Sequence, residues 1–312
     1  MESSSPLHDE NRGLWLGLLG VVIFAMTLPM TRLAVGPADD PQLPPLFVTA
    51  GRAAFAGLLS LVYLAVTRAP RPRVDQLTTF GASALGTVVG FPMFIALALR
   101  HVDAMHAAVV TGLMPLATAA GAAWLFRQRP SNGFWACALA GCALVVAFAL
   151  VQGSGHVSVA DALLLGAVAC TALGYVSGAR LAAQMSAERV ICWVLVLSLP
   201  VTLPVAWWSW PEQAVRASSW AGFVYVSLFS MWIGFFAWYR GLALGGALRV
   251  SQTQLLQPFL SILASIPLLG EPLDVVTLGF AAAVVATVVV GKKLSQPAAS
   301  GTNDNLFTRR TT

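Results

Sequence analysis

Hydrophobic residues form ten long runs along this chain, separated by short gaps that carry charged residues, proline and glycine. The runs cover residues 13–35, 44–66, 77–98, 104–126, 133–151, 159–182, 190–210, 218–239, 247–269 and 274–291. A helix needs about 20 mainly apolar residues to cross the hydrocarbon core of a bilayer, and the runs are close to that length. The pattern predicts an all-α membrane protein with ten transmembrane helices.

The composition agrees with a protein that is embedded in a lipid bilayer. Hydrophobic residues make up 57% of the 312 residues and charged residues 10%, whereas soluble domains carry about 25% charged residues. The net charge of +5 does not indicate nucleic-acid binding, because the basic residues lie in the gaps and form no basic surface patch.

The basic residues also predict how the helices are oriented. With a cytoplasmic N-terminus, 14 of the 18 lysines and arginines fall in cytoplasmic segments, and the outer loops hold only Arg100 and Arg216. Arg32 and Arg52 lie near or within spans. Because cytoplasmic loops of membrane proteins are enriched in Lys and Arg, we expect both termini in the cytoplasm.

Two segments of the chain repeat a pattern around a proline in the middle of a run. Pro115 and Pro258 are each followed thirteen residues later by a polar residue, Gln128 or Glu271, and then by another proline. We therefore predict two five-helix repeats, 13–151 and 159–292, with an N-terminal segment 1–12, a linker 152–158 and a disordered tail 293–312. Because five is odd, the second repeat is inverted, and inverted repeats hold substrate near the midplane of secondary transporters.

The motifs "LMPLATAAGAAWLFRQRP" and "LLQPFLSILASIPLLGEP" resemble the drug/metabolite transporter superfamily, and specifically its EamA-type ten-helix members. "LPMTRLAV" and "GRAAFAG", around Arg32 and Arg52, resemble that family as well. Gln128 departs from the pattern, since a glutamate is common there. The aromatic-rich, charge-poor spans look like those of YddG-type bacterial amino-acid exporters. The resemblance implies export of small metabolites across a bacterial inner membrane by alternating access.

Polar residues in the ninth run are candidates for the substrate site. Ser251, Gln254 and Pro258 share one helical stripe, and Gln257 shares a face with Gln254. These side chains bind a polar substrate in one interpretation and hydrogen-bond neighbouring helices in the other. Both interpretations stay open.

The fourth run should mirror the ninth, so we expect its residues around the central proline to reach the same cavity. His106 could move protons or pack between helices. Aromatic residues of several runs could form an apolar cavity wall. The further candidates are Thr111, Pro115, Trp15, Tyr175, Trp238 and Tyr239.

Arg52 lies about eight residues into the second run, where a charge is expensive and therefore a functional candidate. We expect a structural role, by snorkelling or by pairing with Glu271 or Asp39. The alternative is that Arg52 holds a substrate carboxylate. We expect Glu271 to cap the ninth helix and brace the outer rim, and Arg32 to anchor that rim.

Several functions lack their sequence signals. The chain has no P-loop and no catalytic motif of the Gly-x-Ser-x-Gly or HExxH type, and its four cysteines lie inside apolar runs without CxxC spacing. Of the acidic residues, only Glu271 is expected near a span end. We predict no enzyme, no cofactor and no metal site. The expected protein is a monomeric transporter of small molecules, with aromatic and hydrophobic amino acids as leading substrates. Multidrug or other metabolite efflux is the alternative, and proton coupling stays open.

Overall fold

A computed structural model describes residues 6–125, 131–152, 156–245 and 250–295, and all regular secondary structure in these ranges is helical. We number the spans 1 to 10. They are Asn11–Val35, Pro45–Val66, Val74–Ala98, Ala104–Leu125, Asn132–Gln152, Val159–Ala182, Glu188–Trp208, Ala217–Gly241, Thr253–Leu269 and Val275–Gly291. Spans 1 to 8 are long and apolar enough to cross a bilayer, and spans 9 and 10 are shorter apolar helices. The prediction of a ten-helix membrane protein is confirmed.

Most spans match their predicted runs within a few residues, but several helices extend further or are divided. The helix of span 1 begins at Pro6 and is divided into Pro6–Ala25 and Thr27–Val35. The helix of span 7 covers Ala187–Trp208, and that of span 10 covers Val275–Ser295. In span 8 helical structure continues to Gly245.

Besides the division of span 1, four spans are interrupted among the described residues, and these four correspond between the two halves. Span 3 contains a π-helical segment, Ala84–Gly90, and span 8 contains another, Val226–Ile233. Span 4 breaks after Thr111 and resumes as Met114–Leu125. Span 9 starts as a 3-10 helix, Ser251–Leu256, and continues as an α-helix.

Both resumed α-helices carry a proline as their second residue. The second helix of span 4 begins Met114–Pro115, and the α-helix of span 9 begins Gln257–Pro258. Proline is tolerated in the first turn, because a missing backbone N–H removes no hydrogen bond there. The two prolines that marked the sequence repeat therefore mark the points where these helices restart.

The packing between spans follows one scheme in both halves. Span 2 packs against span 7, span 1 against span 8, span 3 against span 6, and span 5 against span 10. Spans 4 and 9 also contact each other. Exchanging each span with the one five positions away in the chain reproduces the same set of pairs, so each half contacts the other in equivalent ways.

Glycines allow two of these span pairs to approach at backbone distance. A Cβ added at Gly86 in span 3 would lie 2.4 Å from the backbone nitrogen of Gly174 in span 6. A Cβ added at Gly241 in span 8 would lie 2.6 Å from the nitrogen of Gly17 in span 1. Small residues let membrane helices pack closely in this way.

The close approach at Gly86 makes this position sensitive to a single methyl group. We expect Gly86→Ala to lower stability by about 1–3 kcal/mol, because the backbone of span 6 must move to admit the methyl group. Gly81→Ala, in the same span, is the matched control, since no heavy atom lies within 4 Å of a Cβ at Gly81. Thermal unfolding in detergent measures both variants, and equal unfolding temperatures would contradict the backbone contact.

Candidate functional site

A cavity of about 250 Å³ lies in the middle of the bundle, between spans 1, 4, 6, 9 and 10. We call it the central cavity. Most of its wall is apolar and includes Phe24, Leu28, Ala108, Ala119 and Val285. Both halves of the chain therefore contribute to the wall, as expected for a site between two repeats.

Spans 4 and 9 contribute residues to the central cavity at matching distances from their prolines. The shared positions are the proline itself and the residues four before, one before and three after it. In span 4 they are Thr111, Met114, Pro115 and Thr118, and in span 9 they are Gln254, Gln257, Pro258 and Ser261. The hydroxyls of Thr118 and Ser261 have no hydrogen-bond partner among the described residues. Thr111 instead donates to the carbonyl of Ala107 at 2.8 Å. Two buried hydroxyls at equivalent positions therefore lack a hydrogen-bond partner among the described residues.

A second, smaller cavity of about 50 Å³ adjoins the first and contains Arg52. We call it the Arg52 chamber. The two cavities share six wall residues, which are Phe24, Leu28, Thr111, Met114, Tyr175 and Gln257. Thr27, Thr87, Thr171 and Ser230 give the chamber a more polar wall. Together the two spaces form an apolar compartment with a polar extension.

Arg52 is buried in span 2, with 3% of its surface exposed. Its Nη2 donates to Ser230 Oγ at 3.3 Å and approaches Met231 Sδ at 3.6 Å, and its Nε has no partner among the described residues. Within that part of the chain, no carboxylate oxygen lies within 4.0 Å of the guanidinium nitrogens. The expected pairing with Glu271 or Asp39 is therefore wrong, and so is snorkelling to the surface.

The other predicted site residues divide into those at the cavity and those elsewhere. Gln254, Gln257, Pro258, Thr111, Pro115 and Tyr175 line the central cavity. The side chain of Ser251 lies outside the described residues.

The structure does not bring three predicted aromatic residues to either cavity. Trp15 is 71% exposed on the outside of span 1. Trp238 is buried in a hydrophobic cluster with Val21 and Val250, and Tyr239 packs against the same cluster. An aromatic side chain is stable against lipid and against neighbouring spans as well as in a cavity wall, so its presence in an apolar run does not predict which of these it contacts. Their place in the cavity wall is taken by Phe24.

Glu271 closes the gap between spans 4 and 9 at one end of the bundle, which we call the Glu271 end. Its carboxylate accepts hydrogen bonds from the backbone N–H groups of Ala104 at 2.7 Å and Met105 at 2.9 Å. Glu271 therefore caps span 4 and not the end of its own span 9, which corrects the sequence-based expectation. Burial raises the pKa of this carboxyl group, and the two backbone hydrogen bonds act in the opposite direction.

Arg32 lies at the same end, as expected for a rim residue. It donates to the backbone carbonyl of Leu99 and lies 3.6 Å from the carboxylate of Asp103. Both contacts join span 1 to the loop between spans 3 and 4 and stabilise the first half internally.

His106 lines neither cavity, which corrects its expected place in the substrate site. It forms instead a polar contact that the sequence analysis does not predict. Its Nε2 lies 2.6 Å from Asp161 Oδ1 and joins span 4 to span 6. Asp161 also accepts hydrogen bonds from the backbone N–H and the hydroxyl of Ser158, at 2.8 and 2.6 Å. The expectation that only Glu271 among the acidic residues lies near a span end was wrong. The spacing Ser158-x-x-Asp161 before an apolar run was the available signal, because it is that of a capping box.

A ten-helix bundle with a central cavity between two halves defines a class of polytopic membrane proteins to which many transporters belong. The chain is a member of the EamA-like transporter family, which matches residues 11–151 and 158–291, so the predicted family is confirmed. The protein is thus a multi-pass membrane transporter of that family.

A relative of known sequence supports this membership, and a solved structure shares the fold. The Bacillus subtilis (strain 168) protein named "Uncharacterized transporter YdeK" is 41% identical over 292 residues, which cover 93% of this chain and 100% of that protein. A solved crystal structure superposes with a TM-score of 0.60 over 93% of this chain and 100% of its own length. Its sequence identity of 18% makes it informative about the fold alone.

Proposed function

We propose that this protein is a secondary transporter that exports small amphipathic metabolites, above all aromatic and hydrophobic amino acids, across a bacterial inner membrane. It works as a monomer, by alternating access of the central cavity to the two sides. The observation that carries the proposal is the set of cavity residues at matching distances from Pro115 and Pro258. Matched walls from two halves let the halves exchange roles when the cavity changes sides.

The two halves form an inverted repeat in this proposal. Span 4 begins at the Glu271 end, where its first N–H groups bind Glu271, whereas span 9 ends there at Leu269. Spans 4 and 9 therefore run in opposite directions although their prolines and cavity residues correspond. A two-fold axis in the membrane plane relates them, as in other inverted-repeat transporters.

The distribution of basic residues supports an orientation with the Glu271 end outside. The loops at this end contain Arg100 and Arg216, whereas most of the lysines and arginines that the structure describes lie at the opposite end. Cytoplasmic loops are enriched in these residues, so both termini are cytoplasmic in our proposal. In this orientation Glu271, His106 and Asp161 lie on the external side and join spans there.

The chemistry of the wall supports amphipathic solutes. An apolar pocket with a few polar groups is typical of sites for small organic ligands. Gln254, Gln257 and Tyr175 provide the polar groups, and Phe24 and Leu28 provide the apolar surface. Efflux of lipophilic cations is the second candidate, but it is less favoured because, in the part of the chain that the structure describes, no acidic residue lines the two cavities.

Uptake into proteoliposomes tests the proposal. Purified protein is offered radiolabelled Phe, Trp, Met and Thr, with and without a pH gradient, and we expect saturable uptake of the first three. A dependence on the pH gradient would show proton coupling. The absence of saturable uptake by folded protein under both conditions would contradict amino-acid transport.

Gln254→Ala should weaken this uptake, because the amide lines the central cavity. Loss of one hydrogen bond costs about 1 kcal/mol, so we expect uptake at low substrate concentration to fall by roughly fivefold. Gln213→Ala is the matched control, since Gln213 is exposed in a loop. Equal uptake by the two variants would remove Gln254 from the substrate site.

A further inference from the structure

We propose that Arg52 binds the carboxylate of the transported solute and that the Arg52 chamber is the carboxylate subsite. This inference rests on the proposed transport function and names the chemical class of its substrate. Arg52 is the eighth residue of span 2, which places it about 10 Å into the span at 1.5 Å per residue. A buried charge at this depth is costly and marks a functional site when it lacks a structural partner.

The hydrogen-bonding capacity of Arg52 is largely unused. A guanidinium group carries five N–H donors, yet among the described residues it has one hydroxyl contact at 3.3 Å, one sulfur contact at 3.6 Å and an unpartnered Nε. Its planar fork matches the two oxygens of a carboxylate. A bound carboxylate would satisfy the free donors and neutralise the charge together.

Two hydroxyls beside Arg52 are suited to assist. Thr27 Oγ1 and Ser230 Oγ form a hydrogen bond of 2.8 Å with each other, and both line the chamber. The hydroxyls of Thr87 and Thr171 donate to carbonyls of their own helices. Of these four hydroxyl residues, the Thr27–Ser230 pair is therefore the one suited to bond a carboxylate that lies against Arg52. Tyr175 and Gln257 on the shared wall offer further donors.

The connection between the two cavities indicates the chemistry of the rest of the ligand. A carboxylate at Arg52 directs the remainder of the molecule past Phe24 and Tyr175 into the apolar central cavity. Among the described residues no acidic side chain lines either space, so an amino group of the ligand meets no counter-charge from them. The ligand class is that of apolar monocarboxylates, and amino acids belong to it through their α-carboxylate.

Paired substrate analogues test the inference on the unmodified protein. The probes are phenylalanine with phenylalaninamide, and 3-phenylpropionate with 3-phenylpropanamide, each measured as a competitor of radiolabelled phenylalanine in proteoliposomes. We expect each carboxylate to compete at least tenfold better than its amide, about 1.4 kcal/mol, because a hydrogen bond to a charged group contributes about 1.5–3 kcal/mol. The second pair separates the carboxylate from the effect of the amino group.

Variants then assign the preference to Arg52. Arg52→Gln should abolish the difference between acid and amide, whereas Arg52→Lys should retain a reduced difference. Arg216→Gln is the matched control, because Arg216 is exposed and pairs with Asp40 away from both cavities. A purely structural role would lower stability and total uptake but would leave the ratio of acid to amide unchanged. If Arg52→Gln fails to fold, the acid-to-amide ratio of the wild type is compared with that of Arg52→Lys, and an unchanged ratio in Arg52→Lys contradicts the inference.

The outcomes separate this inference from the proposed function. One outcome is that folded wild-type protein transports phenylalanine while each acid and its amide inhibit that uptake equally. In that case Arg52 is not a carboxylate site, and the transporter proposal stands. The same conclusion follows if Arg52→Gln keeps the wild-type ratio. If folded protein shows no saturable uptake of radiolabelled phenylalanine, the proposed function is wrong and this inference falls with it.

Discussion

An Ala119→Trp variant should fold normally and lose transport by at least tenfold, which is about 1.4 kcal/mol or more in the transport step. Ala119 lies on the wall of the central cavity, and an indole ring in place of its methyl group would occupy much of the space of about 250 Å³. Because the ring enters an existing space, the cost in overpacking stays small compared with that of the same change in a filled core. Uptake in proteoliposomes and thermal unfolding in detergent are measured together.

The matched control for Ala119→Trp is Ala140→Trp, because Ala140 is exposed on the outside of span 5. We expect this control to retain both uptake and unfolding temperature. Unchanged uptake in folded Ala119→Trp would mean that solutes do not pass through the central cavity. An equal loss of uptake in both variants would mean that the effect does not depend on the position of the added tryptophan in the cavity.

Glu271→Ala should lower the free energy of unfolding by about 3 kcal/mol or more, since it removes two hydrogen bonds to a charged group, each worth about 1.5–3 kcal/mol. The two N–H groups belong to Ala104 and Met105, which are both buried, so water replaces the carboxylate poorly. The carboxylate also lies at the positive end of the span 4 helix dipole, which adds to its effect. Thermal unfolding in detergent measures the change.

Glu271→Gln should have a smaller effect, because the amide oxygen can still accept one of the two hydrogen bonds. Glu212→Ala is the control for the loss of a negative charge, since Glu212 is exposed in a loop. The cap on span 4 is contradicted if Glu271→Ala and Glu212→Ala unfold at the same temperature.

The ten spans could be predicted because a bilayer imposes strict length and polarity requirements on each helix. The sixth predicted run, 159–182, coincides with span 6, and most other boundaries differ by only a few residues. The π-helical segments Ala84–Gly90 and Val226–Ile233 were not predicted. Their shifted backbone hydrogen bonds depend on packing against neighbouring spans, which leaves no simple pattern in the sequence.

The two prolines led to the part of the molecule that holds the central cavity, and the rest of the cavity wall followed from them only in part. Gln254 and Gln257 stood out as polar residues in an apolar run, whereas Thr118 and Ser261 did not, because small hydroxyl residues are common in membrane helices. Comparing both spans at equal distances from Pro115 and Pro258 would have identified the two hydroxyls together.

Long-range contacts account for the remaining errors. Arg52 was recognised from its depth in the membrane, but its expected partner Glu271 binds the start of span 4 instead. Nothing near either residue in the sequence encodes that choice, since residues far apart in the chain meet there. Trp15 was misplaced because hydrophobicity alone does not distinguish a surface that faces lipid from one that faces the interior of the bundle.

Access of a thiol reagent to Thr111→Cys from each side of the membrane tests the central claim most directly. The four native cysteines are first replaced and transport is checked. Thr111 lines both the central cavity and the Arg52 chamber. In oriented vesicles we predict modification by a membrane-impermeant reagent from either side, at rates that a transported amino acid changes. Modification from one side only, with and without substrate, would contradict alternating access through this cavity.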